Sequence, residues 1–270
     1  MKNLPGTARV IVLLAHYNDA DRLIKAIQSI QEPFPVDVLI VDDGSTKKPD
    51  AKALQEIYTN GTLQVHYLPQ NMGSEKARNA GMKMLFEWNY EFVAGMDSDD
   101  LNKPERFAKQ LSFLDAHPDV MLMGSWCDCI DGDGNYLFTQ KYPTEDRDIK
   151  KMMYINSMFA HASLVFRKAM LPSTGFYPED NKWAEDYALA FNATRLFKVA
   201  NYPEALIYYT IHGAGISSMH RRGQVVSRLK IILKHFYWGF YPIYGILRNL
   251  PLLLVSRELL TPLKKLIKRG

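Results

Sequence analysis

The sequence predicts an α/β fold, a mixed and mainly parallel sheet flanked by helices, followed by a basic amphipathic helical tail. Three observations predict it. Short apolar runs rich in β-branched residues alternate with stretches of helical spacing through residues 1–100. A polar cluster closes each run, at the edge where a parallel sheet gathers its ligands. The formal charge of +4 conceals a division: residues 221–270 carry eleven Lys/Arg against the single acid Glu258, whereas residues 1–220 carry 22 bases against 28 acids. The expected organisation is one large domain over 1–220 and a tail over 221–270.

The elements follow in order. Residues 10–14, Val-Ile-Val-Leu-Leu, read as a strand buried on both faces. Asp19 caps a helix whose Leu23, Ile24, Ile27 and Ile30 keep helical spacing and which ends before Pro33 and Pro35. Residues 36–41 form the second strand, Asp50 opens a helix with Leu54 and Ile57 inward, and residues 63–68 form the third strand. A helix begins near Gly73 with Ala77, Ala80, Gly81, Met84, Leu85 and Trp88 on one face, and residues 91–96 are the fourth strand. This alternation requires crossover connections, hence a parallel sheet with helices on both faces. Beyond it, Pro104 opens a helix with Phe107, Leu111 and Leu114 inward, and residues 120–130 read as a strand. Residues 131–135, Asp-Gly-Asp-Gly-Asn, turn into a returning strand at 136–138. Their acid spacing echoes a calcium loop, but the flanking helices and closing Glu of such a loop are missing.

Composition narrows the class. At 270 residues and 47% hydrophobic, the chain has a globular balance. Its two cysteines, Cys127 and Cys129, are expected on opposite faces of a strand, a poor geometry for a disulfide and too few ligands for zinc, which fits a reducing cytosolic setting. The first residues have no signal-peptide layout, so secretion is not expected. No Gly-rich Lys-Ser/Thr phosphate loop, Gly-x-Gly-x-x-Gly fingerprint or His-Glu-x-x-His motif is present.

Four polar clusters converge on one sheet edge: residues 16–18, 42–45, 70–73 and 97–100. The last, Asp97-Ser98-Asp99-Asp100, sets three carboxylates at a strand end. Such a run is either an acidic solvated turn or the seat of a divalent cation, whose hard oxygen ligands it would supply beside a nucleotide's phosphates.

These clusters resemble, in order, the signatures of glycosyltransferase family 2. The matching segments are residues 10–18 with Tyr17-Asn18, Val41-Asp42-Asp43-Gly44-Ser45-Thr46, Asn71-Met72-Gly73 with Ala77-Arg78-Asn79-Ala80-Gly81, Asp97 to Asp100 with Pro104-Glu105-Arg106, and Glu185-Asp186-Tyr187. They span residues 8–218, departing at Ala15-His16, where the family commonly has a proline near the strand end. The resemblance implies a GT-A-type, Rossmann-like fold and inverting transfer of a sugar from a nucleotide-diphosphate donor, of the UDP type, aided by Mn²⁺ or Mg²⁺. It also implies roles. Ala15, Tyr17, Asn18 and Asp43 would hold the nucleoside, Tyr17 by stacking. Arg78, Asp97 and Ser98 would hold the ribose and diphosphate. Asp97, Asp99, Asp100 and His212 are the metal candidates, and Asp186 the general base that takes the acceptor's proton. A core tyrosine, a capping Asp43, a solvated Arg78 and an N-terminal acidic pair at 185–186 are the structural alternatives. His161 is expected beside the site and Trp183 against a sugar ring.

The tail mixes aromatic, aliphatic and cationic residues. Its longest uncharged stretch, residues 235–247, is short and interrupted by Gly239, Pro242 and Gly245, so it does not span a bilayer. Trp and Tyr flanked by Lys/Arg suit helices lying at an anionic membrane surface; helices packed on the main domain are the alternative. Its high aliphatic content argues against nucleic acid. The combination fits a bacterial surface-polysaccharide or lipopolysaccharide glycosyltransferase at the cytoplasmic face of the inner membrane, with a glycan or lipid-linked saccharide as acceptor. Two other classes compete. A sugar-phosphate nucleotidyltransferase needs a Gly-rich basic loop where Tyr17-Asn18-Asp19 stands. A non-catalytic nucleotide-sugar-binding or membrane scaffold would have lost acids that are present at Asp97, Asp99 and Asp186.

Overall fold

Four parallel strands set the frame: β1 (Val10–His16), β2 (Asp37–Asp42), β3 (Leu63–Tyr67) and β4 (Phe92–Asp97). The computed structural model describes residues 8–211 and 220–254. Helices α1 (Ala20–Gln28), α2 (Ala51–Ile57) and α3 (Ser74–Glu87) make the crossovers. Asp19 and Asp50 cap α1 and α2 as their positions predict: Asp19 accepts from the Arg22 amide at 3.3 Å, and Asp50 from Lys52 and Ala53 at 2.9 and 3.2 Å.

The chain then doubles back. A two-residue strand β5 (Leu101–Asn102) is followed by α4 (Arg106–Ala116), β6 (Val120–Ile130), β7 (Tyr136–Gln140), α5 (Asp146–Met152), β8 (Val165–Arg167), α6 (Leu171–Thr174), α7 (Glu185–Leu196) and β9 (Lys198–Thr210). One nine-stranded mixed sheet results, in the order β3-β2-β1-β4-β8-β6-β9-β5, with β7 pairing β6. Because β2 and β3 lie to one side of β1 and β4 to the other, the strand order reverses between β1 and β4. That reversal opens the ligand crevice of such sheets. Ala15 pairs with Asp97 across it.

Sheet alternation divides the core. Ile11, Leu13, Leu39 and Val41 face α3 and α7; Val10, Val12, Leu14, Val38 and Ile40 face α1 and α4. Both sides of β1 and β2 are thus dry, which explains their unbroken apolar sequence.

Some sequence expectations shift. Helix α4 starts at Arg106, two residues past Pro104, because Glu105 takes a left-handed conformation (φ 60°) and the Glu32 carboxylate caps the Phe107 and Ala108 amides at 2.7 and 2.9 Å. Met84 packs against the core as expected but only partly buried, whereas Met82, which the spacing does not single out, is the fully buried methionine of α3. Cys127 and Cys129 do not sit on opposite faces. Residues two apart on a strand share a face, and both are buried, as free thiols, in one small cluster with Ala160, Ala162 and Ile207.

The tail forms α8 (Arg221–Lys234) and α9 (Phe240–Leu254). Ile231 and Ile232 of α8 join the core against α7. The outer side of this hairpin is apolar yet uncovered: Trp238 is 88% and Phe240 71% exposed, with Leu233 and Leu247 also open. Among the described residues no helix is long and apolar enough to cross a membrane.

Candidate active site

The carboxyl ends of β1, β2 and β4 and the amino ends of α3 and α7 meet at the crevice. On the β1 side, Tyr17 presents a ring that is 48% exposed. Asn18 follows in a left-handed conformation (φ 52°), which asparagine tolerates better than most residues. Its amide donates to Ser45 Oγ at 2.9 Å and its Oδ1 accepts from the Thr46 amide at 2.8 Å, so the first loop is clasped to the second. His16, beneath them, is buried with neither ring nitrogen bonded among the described residues, and burial lowers its pKa.

Asp43 is buried. Its Oδ1 accepts from the Met72 amide at 2.8 Å and its Oδ2 from the Gly73 amide at 2.9 Å, fixing the loop that opens α3. Gly44 (φ 70°) lets the β2 loop pass against the backbone of Gln70 and Asn71, and Gly73 (φ 97°, ψ 152°) turns the chain into the helix.

From α3, Arg78 reaches the centre of the site. Its Nη2 donates to Asp97 Oδ1 at 2.7 Å, its Nη1 stands 3.6 Å from Glu185 Oε1, and its guanidinium lies over the Tyr177 ring. His161 closes the ring of contacts, with Nδ1 3.3 Å from Asp97 Oδ2 and Nε2 3.0 Å from the Tyr177 hydroxyl. Burial opposes ionisation of Asp97, but His161 and Arg78 outweigh it and hold the carboxyl below its usual range. Arg78 Nε and Glu185 Oε2 are buried without a partner among the described residues.

Ser98 and Asp99 form the turn after β4. The Asp99 carbonyl accepts from the Thr210 hydroxyl at 2.6 Å. Asp100 points inward, its Oδ1 accepting from the Thr210 amide at 2.8 Å and its Oδ2 buried without a partner among the described residues. Burial, then the charges of Asp97 and Asp99, push its pKa well above the carboxylate range. Behind the loop, fully buried Arg106 bonds Asn102 Oδ1 at 2.6 Å, Gln110 Oε1 at 3.0 Å and the Gly95 carbonyl at 3.1 Å, and burial lowers its pKa to about 9.

Among the described residues no three His, Cys, Asp or Glu side chains converge as a ready metal cage. The donor chemistry nonetheless fits a hard cation. Hydrated divalent ions at phosphates take one or two protein carboxylates and fill the shell with phosphate and water oxygens. Crowded acids with an orphaned oxygen are an environment such an ion relieves. His212 lies outside the described residues.

Asp186 occupies the first turn of α7, half-buried beside Glu185, and its charge is felt by Tyr177, Tyr209 and Arg228. Trp183 does not lie open to a sugar. It adopts a left-handed conformation (φ 66°), stacks on His220 with centroids 4.8 Å apart, and rests on Gly223. Tyr177 and Arg228 were not singled out by the sequence, since neither falls in a motif.

Residues 11–172, more than half of the chain, match the model of Glycosyl transferase family 2. The chain belongs to this family. The family 2 protein is similar to the amylovoran biosynthesis glycosyltransferase AmsE of Erwinia amylovora, 32% identical over 205 residues that cover 73% of this chain and 74% of AmsE. It is 28% identical over 188 residues to the UDP-Gal:alpha-D-GlcNAc-diphosphoundecaprenol beta-1,3-galactosyltransferase of Escherichia coli, covering 68% of this chain and 66% of that enzyme. Among solved structures, S. aureus TarS 1-349 in complex with UDP-GlcNAc matches with a TM-score of 0.68 at 19% identity, over 90% of this chain and 72% of TarS 1-349. The shared fold is the GT-A-type fold, and the protein is a glycosyltransferase.

Proposed function

We propose that this glycosyltransferase moves a sugar, with inversion, from a UDP-sugar to a hydroxyl of a lipid-linked glycan in bacterial surface-polysaccharide synthesis. One observation carries the reading: a single guanidinium, Arg78, joins the acid loop to the helix that bears Asp186, through Asp97 at 2.7 Å and Glu185 at 3.6 Å. The donor-side acids and the base are thereby held in one frame. The UDP-linked substrates named for the galactosyltransferase and for TarS, and the diphosphoundecaprenol acceptor of the former, support the choice of donor and acceptor class.

In this mechanism the exposed Tyr17 ring stacks on the base, and Ala15, Asn18 and Asp43 frame the nucleoside. Ser98 and Arg78 lie along the path of the diphosphate. Asp97 and Asp99, with Asp100 behind and His212 as a further ligand, would hold Mn²⁺ or Mg²⁺, which supplies charge neutralisation for the departing diphosphate. Asp186 accepts the proton of the acceptor hydroxyl as that oxygen bonds to the anomeric carbon, while the bond to the diphosphate oxygen breaks and its electrons leave with UDP. Residues 1–220 perform this chemistry. Residues 221–270 hold the protein peripherally at the anionic cytoplasmic face of the inner membrane, each engaged Lys or Arg contributing about 1 kcal/mol. The open aromatic side of α8 and α9 supports that placement.

The test is calorimetric titration of UDP with and without Mn²⁺, paired with a transfer assay. Binding should require the ion and disappear in Asp99→Ala. Asp186→Asn should keep UDP affinity and lose about 10²–10⁴-fold in kcat. Full transfer by Asp186→Asn would remove the base assignment, and metal-independent UDP binding would remove the ion.

A further inference from the structure

Within electrostatic reach of Asp186 stands a guanidinium that no described residue binds. Arg228 of α8 is half-buried and makes no hydrogen bond or ion pair with any described residue. Its position is fixed by its neighbours. Ser227 donates to the Lys182 carbonyl at 2.9 Å, just ahead of α7, and Gly223 one turn earlier packs on Trp183. The groups within electrostatic reach of Arg228 are Tyr187 and Asp186 from α7 and a second cation, Arg248 from α9. Arg248 is anchored by its Nη1 to the Ile155 carbonyl at 2.6 Å, and the Tyr187 hydroxyl bonds the Met153 carbonyl of the same turn. Three elements therefore gather two guanidiniums around one short turn, while the one carboxylate in electrostatic reach among the described residues, Asp186, makes no ion pair with Arg228.

Even a half-buried cation short of partners carries a desolvation cost, and a like charge nearby adds to it. An anion between the two arginines removes both penalties, and planar guanidiniums suit phosphate oxygens bidentately. The flank of the same hairpin is apolar. Phe240, Tyr244 and Leu247 follow one exposed face of α9, with Phe240 and Tyr244 stacked 5.6 Å apart, and Arg248 lies at its border. A ligand that is anionic at its head and hydrocarbon beyond it matches this succession.

We propose that Arg228 and Arg248 form an acceptor-side site for the diphosphate of a polyprenyl-diphosphate-linked saccharide, holding it so that a hydroxyl of the attached sugar reaches Asp186. The inference rests on the lipid-linked acceptor proposed above and adds the residues that recognise its head group.

The test is titration of the full chain with farnesyl diphosphate in the presence of saturating UDP, which occupies the donor side. Arg228→Gln and Arg248→Gln should each weaken farnesyl diphosphate binding about tenfold or more, the loss of charge-assisted bonds to phosphate, with Arg228→Lys in between. UDP affinity, which also reports folding, should stay unchanged, and binding to phosphatidylglycerol vesicles should fall by no more than the about fivefold that one basic residue contributes at an anionic surface. Farnesyl diphosphate bound equally well by parent and variants would overturn the site and leave the lipid-linked acceptor standing. No binding by the parent would overturn the acceptor reading and the site with it. Parallel loss of vesicle binding would reassign the arginines to general lipid phosphates, and parallel loss of UDP to the donor side.

Discussion

The glycines that shape the donor loops make a graded test of the architecture. In Gly44→Ala, the new Cβ would lie 2.5 Å from the Asn71 amide nitrogen and 2.6 Å from Gln70 Cα, closer than real Cβ contacts come, and backbone cannot rotate away as a side chain would. The left-handed φ of 70° adds about 1–2 kcal/mol. Relief requires the 70–73 loop to move, stretching the bonds from Met72 and Gly73 to Asp43, each worth about 1.5–3 kcal/mol as a bond to a charged group. With the two bonds weakened and not lost, the total is about 4 kcal/mol, the low end of that sum. Gly73→Ala meets nothing within 4 Å but carries the strain of φ 97°, ψ 152°, about 2 kcal/mol. Gly132→Ala meets neither penalty and should stay within about 0.5 kcal/mol of the parent. At roughly 2–4 °C per kcal/mol for a chain of this size, thermal midpoints should fall by ~8–16 °C, ~4–8 °C and ~0–2 °C in that order. Calorimetric UDP binding should weaken in the same order. Equal losses at Gly44 and Gly73 would refute the claim that the two loops are in backbone contact.

Three further outcomes follow from the packing. Arg106→Met strands the buried oxygens of Asn102 and Gln110, and urea unfolding should show a loss of about 3 kcal/mol; an unchanged midpoint would mean that relief of guanidinium desolvation cancels the lost bonds. Burial raises the Cys129 pKa and pushes Cys127 to about 12, so at pH 8 both thiols should react with an aromatic disulfide reagent far more slowly in the folded protein than in urea, and matching rates would contradict their burial. Trp238→Ala and Phe240→Ala should each cut partition into phosphatidylglycerol vesicles about tenfold, the value of an aromatic leaving water, without altering UDP affinity; unaltered partition would move the membrane contact elsewhere.

What the sequence could disclose was local. The strands at 10–16 and 37–42 are apolar on both faces, and Asp19 and Asp50 sit where cap positions are read, so the first four strands and three helices were legible. The acid loop was legible as chemistry but not as geometry. That Asp100 turns inward depends on Thr210, 110 residues away, and that Arg78 binds Asp97 and Glu185 depends on how α7 docks, which no spacing encodes. Cys127 and Cys129 were misplaced for a different reason: the two-residue period of a strand was available in the sequence and was misapplied. Trp183 was assigned to a sugar because its motif neighbours are functional, yet its left-handed backbone aims the ring at His220.

The bonds from Thr210 to Asp99 and Asp100 also bear on how the protein is born. They join positions 110 and 111 residues apart, so the acid loop has no lasting shape until β9 has been made and has docked. Until β8 has been made, β4 has an unpaired edge, and a nascent chain that stops short of residue 165 offers that edge to any passing strand. During synthesis, therefore, release from that aggregation risk comes with β8, and competence for catalysis only later, with β9.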